Sequence, residues 1–297
     1  RLFYLALQIK RKNIDILHLN YEGLLLLALI LRIFQFEKKI IVHVRTPIPN
    51  NFFSYMFCKL FNFIDGIIFI SKVEKSLFEK VAKKIKKKSI ISNNPSPHEL
   101  IRKKIKKKDN FFFKAIFLGN IDFTKAPDRI IDLAEYTNCL NLPIKFFIYG
   151  KDKTKIFSKN NQINEKSITL KIKKKKLQDI VFFNGHTSNP EKVIINSDII
   201  IRPSRNGDCW GRDVIEGMSA GLLVIATGSK EVFIKHQKNG LLYKNWSPRK
   251  IALDLKEIIH SKDALINIQK KAREYALQHF TIRKHSKEAL KFFKSFN

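Results

Sequence analysis

The chain is predicted to be an α/β protein with two parallel-sheet domains, and three observations lead there. Short runs of isoleucine, valine, leucine and phenylalanine recur along the whole of its 297 residues. Segments with helical spacing of apolar residues separate those runs, so consecutive strands are joined by crossovers and lie parallel. The alternation breaks at Asn93-Asn-Pro-Ser-Pro97 and the basic stretch Arg102-Lys-Lys-Ile-Lys-Lys-Lys108, then restarts. We therefore expect domains at 1–108 and 109–282, with a terminal helix at 283–297 packing back on the first.

The elements follow in order. Leu2–Lys12 has helical spacing, Ile14–Leu19 is a short strand, and Gly23–Phe36 an apolar helix. Lys39–Val44 is a strand, Phe52–Asn62 a helix and Gly66–Ile70 a strand. Ser71 is placed to cap a helix running to Lys84, and Ser89–Ser92 closes the first domain. In the second domain strands are expected at Phe112–Leu118, Ile144–Tyr149, Ile180–Phe183, Asp198–Ile201 and Leu222–Ala226. Asn239-Gly240 turns into one more short strand ending at Tyr243. Helices are expected at Pro127–Thr137, Glu191–Asn196, Arg212–Ala220, Pro248–Ser261 and Lys270–His279, then an amphipathic tail at Arg283–Phe296.

Composition bounds the class. A hydrophobic share of 44% suits a globular protein, while a formal charge of +31 favours anionic partners such as membranes, nucleic acid or phosphorylated substrates. The plainer reading of the lysine runs at 83–88, 102–108 and 171–176 is a solvated surface. No recognisable nucleic-acid module accompanies them, and lysines without interleaved aromatics argue against that partner. Cys58, Cys139 and Cys209 are scattered, which argues against a disulfide framework or a zinc site and fits a reducing cytoplasm. The apolar run Leu24–Ile33 carries Arg32 and is shorter than the ~20 residues of a membrane span. Neither Asp-x-Asp nor a His/Cys cluster with ligand spacing occurs, so we expect no metal.

The chemistry concentrates between Ile199 and Ser229. A buried strand ends at Pro203-Ser204, a polar loop carries Asp208, and the next helix carries Glu216 before the Gly221 stop. Another buried strand then leads to Gly228-Ser229, whose amides can cradle a diphosphate. This order lines Asp208, Glu216 and Gly228-Ser229 along the carboxyl edge of a parallel sheet, where ligands of open α/β sheets bind. A nucleotide sugar, anionic and rich in vicinal hydroxyls, suits two carboxylates beside amides. On the two acids alone, Asp208 as a helix cap and Glu216 as a surface residue is the competing reading.

The same stretch resembles glycosyltransferase family 4, the retaining sugar transferases of GT-B fold. The resemblance rests on Pro203-Ser204, Asp208, then Glu216-Gly-Met-Ser-Ala-Gly221 and Leu223-Val-Ile-Ala226. Ala115-Ile-Phe-Leu-Gly119 with Lys125-Ala-Pro also matches, as do the strand-glycine pairs ending at Gly150 and Gly185. It implies two Rossmann-like domains facing across a cleft, with the donor on the second and the acceptor on the first. It implies metal-independent, hexosyltransferase-like transfer from a nucleoside diphosphate sugar to a saccharide or lipid-linked acceptor, in cell-surface polysaccharide synthesis.

By that resemblance Glu216 holds the ribose and Asp208 the sugar hydroxyls. Lys125, Gly228 and Ser229 hold the diphosphate, with Gly119, Ser204 and Gly211 in the surrounding loops and Gly185 near the base. Arg45 stands where many members have histidine and contacts phosphate or acceptor; the neighbouring His43 is read as a packed strand residue. There are departures: Asp208 replaces the usual glutamate, Gly119 is followed by Asn120 instead of arginine, and Gly228-Ser229 replaces a double glycine. Arg205 or Arg202 is expected to substitute for the absent arginine. The first domain reads as incomplete, because an opening glycine-rich strand-loop-helix is not present in this sequence. Expected localisation is cytoplasmic and peripheral on the inner membrane face. The rival class is a noncatalytic binder of anionic lipid or nucleic acid on a degraded fold.

Overall fold

The computed structural model describes residues 1–82, 85–97, 112–152, 163–229 and 232–296. Lys83, Lys84 and the basic stretch 102–108 lie outside the described residues. The chain divides into two compact units, Arg1–Asn94 with Arg283–Asn297, and Pro95–Ile282. The division falls at the Asn-Pro break, ahead of the 108/109 seam expected from the lysine-rich stretch.

The first unit is a four-stranded sheet, β1 (Ile16–Leu19), β2 (Lys39–Val44), β3 (Gly66–Phe69) and β4 (Lys88–Ile91), in that spatial order. Every pairing is parallel. Its helices are α1 (Leu2–Lys10), α2 (Leu25–Ile33), α3 (Phe52–Cys58) and α4 (Lys72–Val81). The strands advance in one direction across the sheet, so right-handed crossovers place α2, α3 and α4 on one face. Leu25, Leu31, Ile40, Phe61, Ile67 and Phe69 form the core beneath them.

Two expected helices break into tighter pieces. Gly23–Phe36 is a 3₁₀ turn, Glu22–Leu24, followed by α2, and Phe52–Asn62 is α3 followed by a 3₁₀ turn, Lys59–Phe63. The second tightening brings Phe61 wholly into the core just before β3. At the start of α4 the capping expectation for Ser71 is met, with its Oγ accepting from the Val73 amide at 3.0 Å.

The second unit holds β5 (Phe113–Leu118), β6 (Ile144–Tyr149), β7 (Val181–Gly185), β8 (Ile199–Arg202), β9 (Leu223–Thr227) and β10 (Leu241–Tyr243). The sheet order is β10-β9-β8-β5-β6-β7, parallel throughout. Its helices are α5 (Asp128–Cys139), α6 (Glu165–Lys174), α7 (Pro190–Ile195), α8 (Arg212–Ala220), α9 (Pro248–His260) and α10 (Lys262–His279). Helices α5, α6 and α9 pack on one face around Ile131, Phe146 and Leu255. Helices α7, α8 and α10 pack on the other around Ile200, Met218 and Val224.

Helix α6 is not among the expected elements. Asn164 opens it with a capping box in which its Oδ1 accepts from the Ser167 amide at 2.8 Å. Only Ile168 and Ile172 of its residues are buried, so lysines conceal its apolar face in the sequence. Helix α8 ends at Gly221, whose φ of 73° is the left-handed conformation that stops a helix.

The last helix, α11 (Ile282–Lys294), returns to the first unit. Its Phe292, with Phe293 and Phe296, covers Ile41 and Ile68 on the sheet face opposite α2 to α4.

Candidate active site

Strand order locates the site. β5 lies between β8 and β6, and the chain winds outward in opposite directions from that pair. In open parallel sheets the ligand-binding crevice opens outside the carboxyl ends of strands where the order reverses. Lys125 lies in the loop after β5, and Asp208 in the loop after β8.

Local chemistry fixes both loops. Asp122 Oδ1 accepts from the Thr124 hydroxyl at 2.6 Å and the Lys125 amide at 2.8 Å, closing a side-chain turn. Ala126 takes a φ of 56° immediately afterwards. Ser204 is wholly buried, and its Oγ donates to the Thr124 carbonyl at 3.1 Å. The Arg205 amide donates to the same carbonyl at 2.9 Å. The two loops are thereby stitched together, and Lys125 Nζ reaches Asp208 Oδ2 at 3.1 Å.

Beneath Asp208 lies Arg202, the last residue of β8, with a side chain only 9% exposed. Its guanidinium donates to the Asp208 carboxylate and carbonyl and to Asp213 Oδ1. Burial works against the Arg202 charge, but Asp213 and Asp208 outweigh it and hold the guanidinium protonated more firmly than usual. Burial likewise pushes Asp208 up, yet Arg202 and Lys125 prevail and keep its carboxyl below the ordinary range. Asp208 is an anchored anion.

Glu216 is a different kind of acid. It is buried on α8, and Arg212 Nε meets its Oε1 at 2.6 Å across one helical turn. Burial pushes its pKa up, Arg212 opposes this, and Asp213 and Glu191 add to the rise. Asp213 thus bears on both acids, paired with Arg202 on one side and repelling Glu216 on the other.

Close backbone approach holds the Asp208 loop beside the next strand end. A Cβ on Gly228 would stand 2.8 Å from the Gly207 carbonyl oxygen and 2.5 Å from Cys209 Sγ. The Gly228 amide donates to the Tyr243 carbonyl at 2.8 Å and so is not free to cradle a diphosphate as the sequence suggested, while Ser229 beside it is exposed. Gly211, the N-cap of α8, leaves room for Arg202, because a Cβ there would fall 2.2 Å from its Nη1.

The other expected residues are more dispersed. The Gly119 amide donates to Tyr149 O at 3.2 Å, which keeps it at the carboxyl end of β5. Gly185 ends β7 at the sheet's edge, two strands from β5, with a φ of 65° and open space around it. Arg205 grips Asp128 through both guanidinium nitrogens, at 2.9 and 2.5 Å, and stacks 4.4 Å over the Phe123 ring. Arg202 and Arg205 are therefore both engaged with carboxylates of the protein, where the sequence reading had one of them free for phosphate.

Arg45 belongs to the first unit, just past β2, where its Nε donates to Asn20 Oδ1 at 3.1 Å and its amide to Glu22 at 2.8 Å. His43 is buried one turn of strand before it and stacks on His18 with ring centroids 5.9 Å apart. The sequence reading passed over Asp213, Arg212 and Asp122. The signal for Asp213 was present, since an arginine ending a buried strand demands a buried anion.

Residues 97–278 match a family described as Glycosyl transferases group 1. The chain belongs to that family. A curated relative, the Poly(ribitol-phosphate) alpha-N-acetylglucosaminyltransferase of Staphylococcus aureus (strain COL), is 26% identical over 175 residues, covering 58% of this chain and 33% of that one. The chain thus spans about a third of the length of that relative. Among solved structures, Anabaena Alr3699/HepE in complex with UDP superposes with a TM-score of 0.81 at 16% identity, covering 99% of this chain and 82% of that one. A glycosyltransferase from Rickettsia africae ESF-5 gives 0.77 at 18% identity, with coverages of 99% and 80%. S. aureus TarM gives 0.74 at 19% identity, with coverages of 98% and 57%. At these identities the likeness shows the fold, and this group 1 glycosyltransferase chain has the two parallel-sheet α/β domains of the GT-B class.

Proposed function

We propose that the chain catalyses metal-independent transfer of a sugar, with retention, from a nucleoside diphosphate sugar to a saccharide or lipid-linked acceptor in cell-surface polysaccharide synthesis. The observation that carries this reading is the 3.1 Å pairing of Lys125 with Asp208 at the point where the strand order reverses. A cation and an anchored anion there match the two ends of such a donor. Lys125 and Ser229 take the diphosphate, and the lysine stabilises the negative charge that grows on it as the glycosidic bond breaks. Asp208, clamped by Arg202, accepts from the sugar hydroxyls. Glu216 accepts from the ribose. The acceptor attacks from the face the diphosphate leaves, and a diphosphate oxygen takes its proton.

The comparisons support a uridine nucleotide, since HepE was solved with UDP and with UDP-glucose. The relative's name supports a saccharide product at an anionic polymer. Family 4 membership and an acceptor contact for Arg45 belong to the same proposal. Removing the ribose acceptor tests it: Glu216→Ala should abolish transfer from UDP-sugars while the melting transition stays cooperative. Near-normal turnover by that variant would overturn the assignment.

We further place the protein on the cytoplasmic face of an anionic membrane. Among the described residues no helix is long and apolar enough to cross one. Helix α3 nevertheless exposes Phe52 at 71%, Phe53 at 82%, Tyr55 and Met56, with Lys59 Nζ 5.5 Å over the Tyr55 ring. Aromatics beside a cation suit the headgroup region of a bilayer.

A further inference from the structure

Arg212 runs against the usual rules of helix construction. It is the first residue of α8, directly after Gly211, an N-cap with no capping side chain. The positive end of the helix dipole favours an acid there and disfavours a cation. Its pairing with Glu216 also runs in the weaker order, with the cation first and the anion one turn later. With 65% of its side chain exposed, Arg212 adds little to the core. Helix stability does not explain an arginine at this position.

Glu216 does explain it. Its side chain is 7% exposed, and Arg212 Nε, at 2.6 Å, is the one partner of its carboxylate among the described residues. A carboxylate taken out of water needs a countercharge to stay ionised. The other charged groups around α8 do not supply one. Burial pushes the Glu216 pKa up, and Asp213 on the same helix and Glu191 on α7 add to the rise; Arg212 alone opposes them. Arg202, ending β8, is taken up by Asp208 and Asp213. Arg273 of α10 donates instead to the Ser219 carbonyl at 3.0 Å. Asp208 therefore has two cations, whereas Glu216 has one, and that one stands at the surface.

We propose that Arg212 is a positioning residue for the nucleoside half of the donor, holding the Glu216 carboxylate charged and steady as acceptor for the ribose hydroxyls. This rests on the ribose role proposed for Glu216 and names the residue on which that role depends. One bond from Nε uses one of about four acceptor sites on a carboxylate, which leaves capacity for two vicinal hydroxyls. A pH dependence of definite sign follows. Binding that needs ionised Glu216 weakens as pH falls through the folded-state pKa of that carboxyl. Without Arg212 that pKa rises further, so the weakening begins at higher pH.

Calorimetric titration of the whole chain with UDP tests this, with 2′,3′-dideoxy-UDP as the control that lacks both ribose hydroxyls. Arg212→Gln should weaken UDP binding about tenfold at neutral pH, and its acid limb should lie at higher pH than that of the wild-type chain. The phosphate groups of UDP titrate alike with every variant, so they cancel in the comparison. Arg212→Lys should restore most of the lost affinity. Neither change should alter binding of the dideoxy probe, which a merely structural role for the arginine would weaken equally. Cooperative thermal unfolding of each variant shows that its fold is kept.

Glu216→Gln separates the two roles. If it weakens UDP binding and Arg212→Gln does not, only the role of Arg212 is overturned. Equal loss of both probes in Arg212→Gln overturns that role too. If Glu216→Gln binds UDP as the wild-type chain does, or the wild-type chain fails to bind it, the ribose role of Glu216 falls and that of Arg212 with it.

Discussion

Lys125 and Asp208, 83 residues apart in sequence, meet at 3.1 Å where two loops leave adjacent parallel strands. The pair is neither surface decoration nor fully buried, with side chains 27% and 23% exposed. Arg202 secures Asp208 from below, so the lysine is the member able to leave when a diphosphate arrives.

That asymmetry sets the first prediction. Lys125→Ala should reduce transfer at least a hundredfold, as loss of a preorganised charge-stabilising donor does, with stability nearly unchanged. Asp208→Asn should also cost stability, about 2–3 kcal/mol, because Arg202 loses one of its two buried anions. Its pH signature follows from the depressed carboxyl pKa. The stabilisation is complete above the ordinary aspartate range and is lost as pH falls through the lowered value, so Asp208→Asn should flatten the acid limb of the stability curve. Denaturant unfolding across acid pH measures both effects.

Ala126 carries the second. Its φ of 56° lies in the left-handed region, which costs a residue with a Cβ about 1–2 kcal/mol. The methyl is wholly buried, and losing it forfeits about 0.8 kcal/mol. Ala126→Gly should therefore stabilise the chain slightly, by less than about 1 kcal/mol. A lowered urea midpoint would show that packing of the methyl outweighs the backbone strain.

His43 supplies the third. Burial first, then Arg45, His18 and His285, lower its pKa from the ordinary 6.5 to about 3. The folded state therefore keeps His43 neutral while the unfolded chain protonates near its ordinary pKa. Stability should fall as pH drops below about 6.5, by up to about 1.4 kcal/mol per pH unit. His43→Phe should remove most of this slope, since Nε2 makes no hydrogen bond to lose. An unchanged slope in that variant would shift the effect to His18, whose pKa burial also lowers.

The exposed ring pair on α3 gives the fourth. Vesicles containing anionic lipid should co-sediment with the wild-type chain, and binding should weaken with salt. Changing Phe52 and Phe53 together to Ser should reduce it severalfold without affecting the melting transition. Equal binding to neutral vesicles would count against the charge component, and undiminished binding of the double variant against the helix.

Strand and helix order were legible because each β-branched run is buried and each crossover follows from parallel pairing. The end of α8 was legible too, since Gly221 closes a periodic stretch. Helix α6 was not, because only Ile168 and Ile172 mark its inner face among lysines. Asp208 and Glu216 stood out by spacing, but their opposite environments did not. What separates them is Arg202 beneath one and burial around the other, and both depend on packing between distant segments. The work of Arg205 was hidden for the same reason, since Asp128 becomes its partner only when the loops after β5 and β8 are side by side.

The return of α11 has a consequence for biogenesis. Lys88, which opens β4, bonds the carbonyl of Ser295 from 207 positions away, and Ile41 and Ile68 wait for Phe292 over a similar interval. While a ribosome is still making the second unit, one side of the earlier sheet stays bare and greasy. The later-made unit can reach its native form first, and nascent chains stalled before α11 should be held by chaperones.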